Sequence, residues 1–209
     1  MATTFNVTMN VESMEGKTVL VFLRPIPPQR NYLIHAWQVL TASAGSTESF
    51  DYDAVISTNV TSSGVNPNNV IVSETVQIQP GSLLQAISPN GLSPKLQAAP
   101  TSLAQEKLTP QQAGVINNTV PYIQFDCNWM VNSKPVVTVP NVDAGMTCSF
   151  EYEPNFYFMV AAPPMVGQTY IAQNFSDMTR YVMPITATEV DVMVSKVQGR
   201  WEFGFTEKS

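Results

Sequence analysis

The chain has 209 residues, of which 44% are hydrophobic and only 12% are charged, and its formal net charge is −6. This length and apolar content suit one large all-β domain or two domains of about 100 residues each, and the low charge argues against disorder. The ten basic residues are scattered along the chain, so no surface is expected to neutralise phosphates, and nucleic-acid binding is excluded from the expected functions.

The N-terminal sequence MATTFNVTMN has neither a basic start nor an apolar core, so we do not expect a cleaved signal peptide. No apolar run approaches the roughly 18 residues of a membrane-spanning helix. Weak charge and abundant hydroxyl and amide side chains are common on outward-facing proteins. We therefore expect an extracellular protein, or one exported without a visible cleaved signal, with a cytoplasmic location as the alternative.

The first half of the chain is predicted to consist of strands. Phe5, Val7 and Met9 alternate with polar residues, which is the two-residue period of a half-buried strand. The apolar run KTVLVFL predicts a central strand, which ends at the prolines of RPIPPQRN. Further strand patterns follow in HAWQVL, STESFDYD, VIVSETVQI and SLLQAIS.

Residues 88–114 differ, because they contain four prolines and no two-residue period. Within them, Ser102 and Gln105 have the spacing of a capping box and predict a short helix in SLAQEKL. We interpret residues 89–112 as a connecting segment. It would join an N-terminal unit, residues 1–88, to a C-terminal unit, residues 113–209.

The second half repeats the plan of the first. AGSTESFDYD (44–53) and AGMTCSFEYE (144–153) agree at six of ten positions, and two more exchange Asp for Glu. Each copy follows an apolar strand and an x-Ala-Gly turn. We therefore predict an all-β fold of two tandem, antiparallel, sandwich-like units made by internal duplication, with few short helices. One large sandwich with a coincidental match is the alternative.

Residues for nucleophilic or metal chemistry are scarce. His35 is the only histidine. It lies in a strand pattern with no nucleophile beside it in the sequence, so we interpret it as structural or surface-exposed. A zinc site built from several His and Cys residues is not expected. We predict no catalytic residues, no metal site and no cofactor, and hence a protein that is not an enzyme.

Two pairs of carboxylates, Asp51 with Asp53 and Glu151 with Glu153, occupy the polar positions of the repeated segment. A calcium site or a glycosidase pair would use such residues. A solvated strand face is the preferred interpretation, because an active site rarely occurs twice in one small chain.

The two cysteines, Cys127 and Cys148, both occupy apolar positions of strand patterns. We predict that both are buried and close together. They form either a disulfide or a pair of buried free thiols, which pack as small hydrophobic side chains.

Two functions compete on this evidence. The first is a non-enzymatic structural or interaction protein that binds itself or a protein partner through strand edges or apolar patches. The alternative is a ligand-binding module, either carbohydrate-binding or membrane-active and pore-forming. For a ligand or partner, the candidate contacts are Trp37, Trp129 and Trp201.

Overall fold

The computed structural model describes residues 2–11, 16–26, 32–41, 43–62, 70–89, 93–120, 122–162, 171–172 and 175–209. Over these residues the protein is mostly β, with 19 strands and one helix, which confirms the predicted all-β class. The elements are β1 (Thr3–Met9), β2 (Thr18–Pro25), β3 (Leu33–His35), β4 (Gln38–Thr41), β5 (Ser46–Tyr52), β6 (Ile56–Ser62), β7 (Ile71–Val72), β8 (Val76–Gln77), β9 (Leu83–Ile87), β10 (Lys95–Ala98), α1 (Thr101–Lys107), β11 (Ala113–Asn117), β12 (Phe125–Val131), β13 (Lys134–Val142), β14 (Thr147–Phe150), β15 (Tyr152–Ala161), β16 (Ile171–Ala172), β17 (Thr179–Val182), β18 (Glu189–Val197) and β19 (Arg200–Lys208).

The chain divides into two compact units, each built from segments that are not consecutive in the sequence. Unit 1 consists of Met1–Arg24, Ile34–Ala54 and Glu153–Ser209, and unit 2 consists of Pro25–Leu33 and Val55–Tyr152. Each unit therefore contains residues from both sides of segment 89–112. The consecutive division into residues 1–88 and 113–209 differs from these units and stays a prediction about how the repeated sequence is organised.

Unit 1 contains two four-stranded sheets. Sheet A has the order β19-β18-β1-β5, in which β1 is parallel to β18 and antiparallel to β5, and β18 is antiparallel to β19. Sheet B has the order β17-β15-β2-β4. The short strands β3 and β16 also pair with each other. Because one face of β1 turns inward, Phe5, Val7 and Met9 are fully buried, as their alternation in the sequence predicts.

Aromatic rings of the two sheets in unit 1 pack together. The ring of Phe5 in sheet A stacks on Phe50, with centroids 4.9 Å apart, and lies 4.8 Å from Phe156 in sheet B. Trp37 meets Phe50 edge to face at 5.4 Å. Because aromatic side chains bury the largest apolar areas, these contacts form the centre of the unit 1 core.

Unit 2 contains sheet D, which has four strands like sheets A and B, and the larger sheet C. In sheet C the strands β13-β12-β6-β7 are antiparallel neighbours, and β8 also pairs with β6. Sheet D has the order β10-β9-β11-β14, in which β11 is parallel to β9 and antiparallel to β14. Every residue of β11 is buried, so both of its faces are covered.

One face of sheet D is covered by helix α1. Ala104 of the helix packs with Leu83 and Ile116 in a buried cluster. The helix lies where the sequence predicts it, but its N-cap is Pro100, which makes no side-chain capping bond. The predicted cap at Ser102 is therefore wrong, and the packing of the apolar helix face is what holds the helix in place.

The two copies of the repeated segment form the same local structure. Gly45 and Gly145 have positive φ angles of 76° and 72°, which glycine adopts without strain. The N–H of Gly45 donates to the carbonyl of Met9, and that of Gly145 donates to the carbonyl of Asn117, both at 2.8 Å. Each copy thus makes a turn and then an outer strand, β5 in sheet A and β14 in sheet D.

Candidate functional site

Two of the three tryptophans lie in the cores of the units. Trp37 is 2% exposed and Trp129 is fully buried. The ring of Trp129 stacks on Phe150, and its Nε1–H donates to the Sγ of Cys148 at 3.3 Å. A ligand would have to open the core to reach either side chain, which leaves Trp201 as the accessible candidate contact.

Cys127 and Cys148 are both buried and are free thiols in this structure. The two thiols lie within hydrogen-bonding reach of each other. Burial first, and then the hydrogen bond to Cys148, raise the pKa of the Cys127 thiol. Thr58 Oγ1 lies 3.6 Å from the Sγ of Cys127. A raised pKa keeps a thiol protonated, so Cys127 is not an activated nucleophile. The disulfide stays a prediction.

His35 lies in β3 and is partly buried. Burial lowers the pKa of its imidazole, because the charged form is poorly solvated there. Within the described residues, no group of three or more His, Cys, Asp or Glu side chains is placed to hold a metal ion. The expectation that the protein is not an enzyme stays a prediction.

The paired acids occupy strand ends with separate partners. Asp51 is exposed and accepts a hydrogen bond from Thr4 Oγ1 at 2.8 Å, and Asp53 is also exposed. Glu153 is exposed and lies 3.9 Å from Arg180. Its neighbour Glu151 is partly buried. Such contacts are those of a solvated strand face.

The most distinctive surface of unit 1 is the free edge of β19. This nine-residue strand pairs with β18 on one side and is the outermost strand of sheet A in the described part of the chain. Trp201, Phe203 and Phe205 point along one face and are only partly buried, and every other residue of β19 is exposed. An aromatic face thus continues to the open edge of the sheet.

A groove of about 580 Å³ runs beside this edge. Its aromatic lining comes from Phe158 in β15 and from Trp201 and Phe203 in β19. Thr179, together with the charged Asp177 and Arg200, also lines it. The groove therefore offers aromatic rings, a hydrogen-bond donor in Arg200 and a hydrogen-bond acceptor in Asp177 to a neighbouring molecule.

The charged residues around the groove, Asp177, Lys196 and Arg200, are exposed to solvent. The Nζ of Lys196 lies 5.0 Å from the centroid of the Trp201 ring, within the range of a cation–π contact. Neither Asp177 nor Arg200 forms an ion pair with another residue in the described ranges. Both remain available for an external partner.

The far end of β19 is tied to the outward face of sheet A by salt bridges. Lys208 Nζ lies 2.8 Å from both Glu189 Oε1 and Asp191 Oδ2, and Asn6 also donates to the two carboxylates. The ammonium of Lys208 is the main reason that the pKa of Asp191 is lowered. The two carboxylates in turn raise the pKa of Lys208 to about 12.

The sequence pattern identified only part of this site. It places Trp201, Phe203 and Phe205 on one face, but periodicity does not tell an edge strand from a central one. Asp177 and Arg200 carry no local signal, because the fold brings them to the groove from separate parts of the chain, a turn before β17 and the start of β19.

Comparisons with known proteins provide no functional information, so any proposal for the function rests on the geometry of the edge of β19 and the groove beside it. No protein-family model, no curated protein and no solved structure matches the chain. Among the described residues, no helix has the length and apolar character needed to cross a membrane.

Proposed function

We propose that this protein is a non-enzymatic interaction protein that associates with a second copy of itself through the free edge of β19. The observation that carries the proposal is a nine-residue edge strand whose aromatic residues are only partly buried. The unpaired N–H and C=O groups of an edge strand are a template for another strand. Burial of the partly exposed rings would add to the backbone hydrogen bonds.

The two edges of sheet A differ in how well they are protected. Proteins blunt strand edges with charges, prolines and bulges. The edge strand β5 exposes Glu48 and Asp51, which would repel a second β5. β19 contains no proline and pairs with β18 without a break, from Arg200 opposite Val197 to Lys208 opposite Glu189. The charges of β19 are of both signs, with Arg200 and Lys208 beside Glu202 and Glu207. A second β19 can therefore pair with it without placing like charges opposite each other, whereas the charges of β5 are all acidic.

The finer architecture that we propose is a pair of tandem repeats that exchange halves. The first repeat would contain β1–β10 and the second β11–β19. Sheets A and D then have equivalent orders, β19-β18-β1-β5 and β10-β9-β11-β14, and sheets B and C have β17-β15-β2-β4 and β7-β6-β12-β13. Each compact unit would be a sandwich that takes its first strands from one repeat and its last strands from the other.

The pairing registers support this correspondence. Asn6 pairs with Asp191 in the parallel pair of sheet A, and Gly114 pairs with Leu83 in that of sheet D. Gly114 follows Asn6 by 108 positions, and Asp191 follows Leu83 by the same 108 positions. A common offset is what a duplicated sheet requires. Asn6 also pairs with Ser49 and Gly114 pairs with Ser149, so the same correspondence aligns Phe50 with Phe150 in the repeated segment.

The same correspondence suggests that the aromatic face of β19 is not a requirement of the fold. Phe203 and Phe205 pair with Val194 and Val192. In sheet D the equivalent positions are Leu96 and Ala98, which pair with Ala86 and Leu84. The counterpart sheet thus forms without aromatic residues there. In unit 1 Phe203 packs on Phe158 and Phe205 stacks on Tyr181, and the parts of these rings that stay exposed are available for binding.

A measurement of molecular mass against protein concentration tests the proposal. We expect sedimentation velocity to detect a monomer–dimer equilibrium. Trp201→Lys places a charge on the inner face at the edge and should weaken association by about tenfold or more. Met193→Lys, on the exposed outer face of the adjacent strand β18, adds the same charge and should leave the equilibrium almost unchanged. A monomer at every concentration would refute self-association.

Carbohydrate binding in the groove is the second candidate, and a separate observation favours it. A sugar ring stacks on an exposed aromatic face, while its hydroxyl groups bond to charged or amide side chains. The groove offers Trp201 with Asp177 and Arg200, which have no ion-pair partners among the described residues. Because Trp37 and Trp129 are buried, a change in tryptophan emission on titration with neutral or acidic oligosaccharides would report on Trp201. Unchanged emission would count against this candidate.

The other alternative, a membrane-active protein, is tested by the same fluorescence measurement. A blue shift of the Trp201 emission on addition of liposomes would favour membrane insertion. Emission that liposomes leave unchanged would argue against it.

A further inference from the structure

We infer that the two copies pair their β19 strands antiparallel about a two-fold axis that passes midway between the Phe203 residues of the two copies. This inference rests on the proposed self-association and specifies its geometry. Most homodimers have two-fold symmetry, in which the same surface of each copy meets the other. In two-fold antiparallel pairing of β19, a residue a given number of positions before the axis lies opposite the residue the same number of positions after the axis in the second copy.

The aromatic face of β19 is self-complementary about Phe203. With the axis there, Trp201 lies opposite the second copy's Phe205, Phe203 lies opposite the second copy's Phe203, and Phe205 lies opposite the second copy's Trp201. All three residues are on the same, partly buried face of the strand. Directly opposite aromatic side chains are among the favourable cross-strand pairs. The pairing would make one continuous sheet from sheet A of the two copies.

The outer face is compatible with the same axis. Arg200 then lies opposite the second copy's Thr206, and Glu202 lies opposite the second copy's Gly204. All of these residues are exposed in the single chain. No like charges are opposite each other on either face, so the register carries no electrostatic penalty.

The neighbouring registers are less favourable. An axis at Gly204 places Trp201 opposite Glu207. It also places Arg200 opposite Lys208, and both of these side chains are positively charged. An axis at Glu202 places two copies of this glutamate opposite each other. In each of these registers like charges face one another across the strands, which is destabilising.

Gly204 provides a direct test of the register. A Cβ built on this residue meets no atom closer than the Cβ of Met193 at 4.0 Å, so larger side chains fit in the single chain. With the axis at Phe203, Gly204→Lys places a lysine opposite the glutamate at 202 of the other copy, twice per dimer. Gly204→Glu places a glutamate there instead.

Sedimentation equilibrium of the full chain and the two variants gives the dissociation constants. We expect Gly204→Lys to tighten the dimer by about three- to tenfold and Gly204→Glu to weaken it by a similar factor. Met193→Lys and Met193→Glu, one strand farther from the edge, control for the change in net charge. These two controls should differ little from the unaltered protein, since surface charges farther from a contact are screened.

Each outcome discriminates between the inference and the function on which it rests. If both Gly204 variants weaken the dimer equally, the axis lies at Gly204 and the inferred register is wrong, although self-association stands. If both leave a wild-type dimer unchanged, the copies meet at another surface and the β19 proposal fails as well. If the wild-type chain is a monomer throughout, the proposed function itself is refuted.

Discussion

At the scale of single residues, the buried side chain of Asn117 connects β11 to three other places in the chain. Its side chain is 1% exposed, and its Nδ2 donates to the carbonyls of Ile123 and Val142, each at 2.9 Å. Its Oδ1 accepts from both the backbone N–H and the hydroxyl of Thr119. All the hydrogen-bonding groups of the amide are therefore used, as the burial of a polar side chain requires. Val120 and Tyr122, which follow in the chain, are exposed.

Replacing Asn117 by Ala should lower the free energy of unfolding by about 2–4 kcal/mol, because buried carbonyl groups lose their donors. The neighbouring Asn118 is exposed. Its replacement by Ala is the matched control and should change stability by about 0.5 kcal/mol or less. Urea unfolding followed by circular dichroism measures both, and equal effects of the two substitutions would contradict the structural role of Asn117.

The Lys208 salt bridges predict how stability depends on pH. The pKa of Asp191 is below its ordinary 3.8, so its contribution is present above pH 3.8 and is lost as the pH falls through the lowered value. The pKa of Lys208 is raised from 10.5 to about 12, so its contribution is present below pH 10.5 and is lost as the pH rises toward 12.

The variant Lys208→Gln should therefore move the pKa of Asp191 back up toward 3.8. Carboxyl ¹³C NMR titration measures this pKa directly. Asn6→Ala serves as the comparison and should shift it less, because the bond from Asn6 is the smaller cause of the lowered value. A pKa of Asp191 that is the same with and without Lys208 would show that the salt bridge does not form in solution.

At the scale of elements, helix α1 depends on close contact with sheet D. A Cβ added to Gly114 would lie 2.8 Å from Leu108 Cδ2 and 2.9 Å from Leu83 Cδ1. Glycine in β11 lets the ends of the Leu108 and Leu83 side chains occupy this space, and a side chain at 114 would require both of them to shift. Close approach of another element is a recognised use of glycine in strands.

Gly114→Ala should destabilise the protein by about 1–3 kcal/mol through overpacking. The penalty should fall when Leu108 is also changed to Ala, since that substitution removes one of the two contacts and the pair is then non-additive. In a background with Leu103→Ala, on the helix itself, the penalty should stay the same. Thermal unfolding of the single and double variants gives these differences. Additivity of Gly114→Ala with Leu108→Ala would contradict the overpacking.

The elements themselves were predictable from the sequence to different degrees. The alternation of Phe5, Val7 and Met9 identified β1, because a half-buried strand imposes a period of two. The capping box at Ser102 was misleading, since tertiary packing rather than a cap holds α1. The exposure of Trp201 and the burial of Trp129 could not be told apart, because both lie in alternating strands and only the sheet order places one at an edge.

At the scale of the whole molecule, the repeated segment was visible in the sequence but the composition of the compact units was not. Similarity between residues 44–53 and 144–153 shows that two parts are alike. It does not determine which parts pack together, because a strand can pair with a neighbour that is near in the sequence or with one that is far from it. The division into units depends on contacts between distant segments, and local patterns carry no information about those contacts.

The composition of the units predicts what a cut between α1 and β11 will do. Residues 109–111 are exposed and lie between α1 and β11, so a protease site can be introduced there. Both units draw residues from each side of this point. Two cores would therefore hold the fragments together, and we expect them to co-elute in size-exclusion chromatography after cleavage and to separate only in denaturant.

Consecutive, independent domains predict the opposite result. In that case residues 1–88 and 113–209 would each keep a complete core, and the fragments would separate under native conditions with their folds intact. A second cut site in the exposed turn at 198–199, inside the β18–β19 hairpin, is the control. It releases a short fragment held by the pairing of β19 with β18 and by the contacts of Phe203 and Phe205 with Phe158 and Tyr181. This fragment should dissociate more readily than the fragments from a cut at 109–111, because less apolar area secures it. Clean separation after cleavage at 109–111 would exclude repeats that exchange halves.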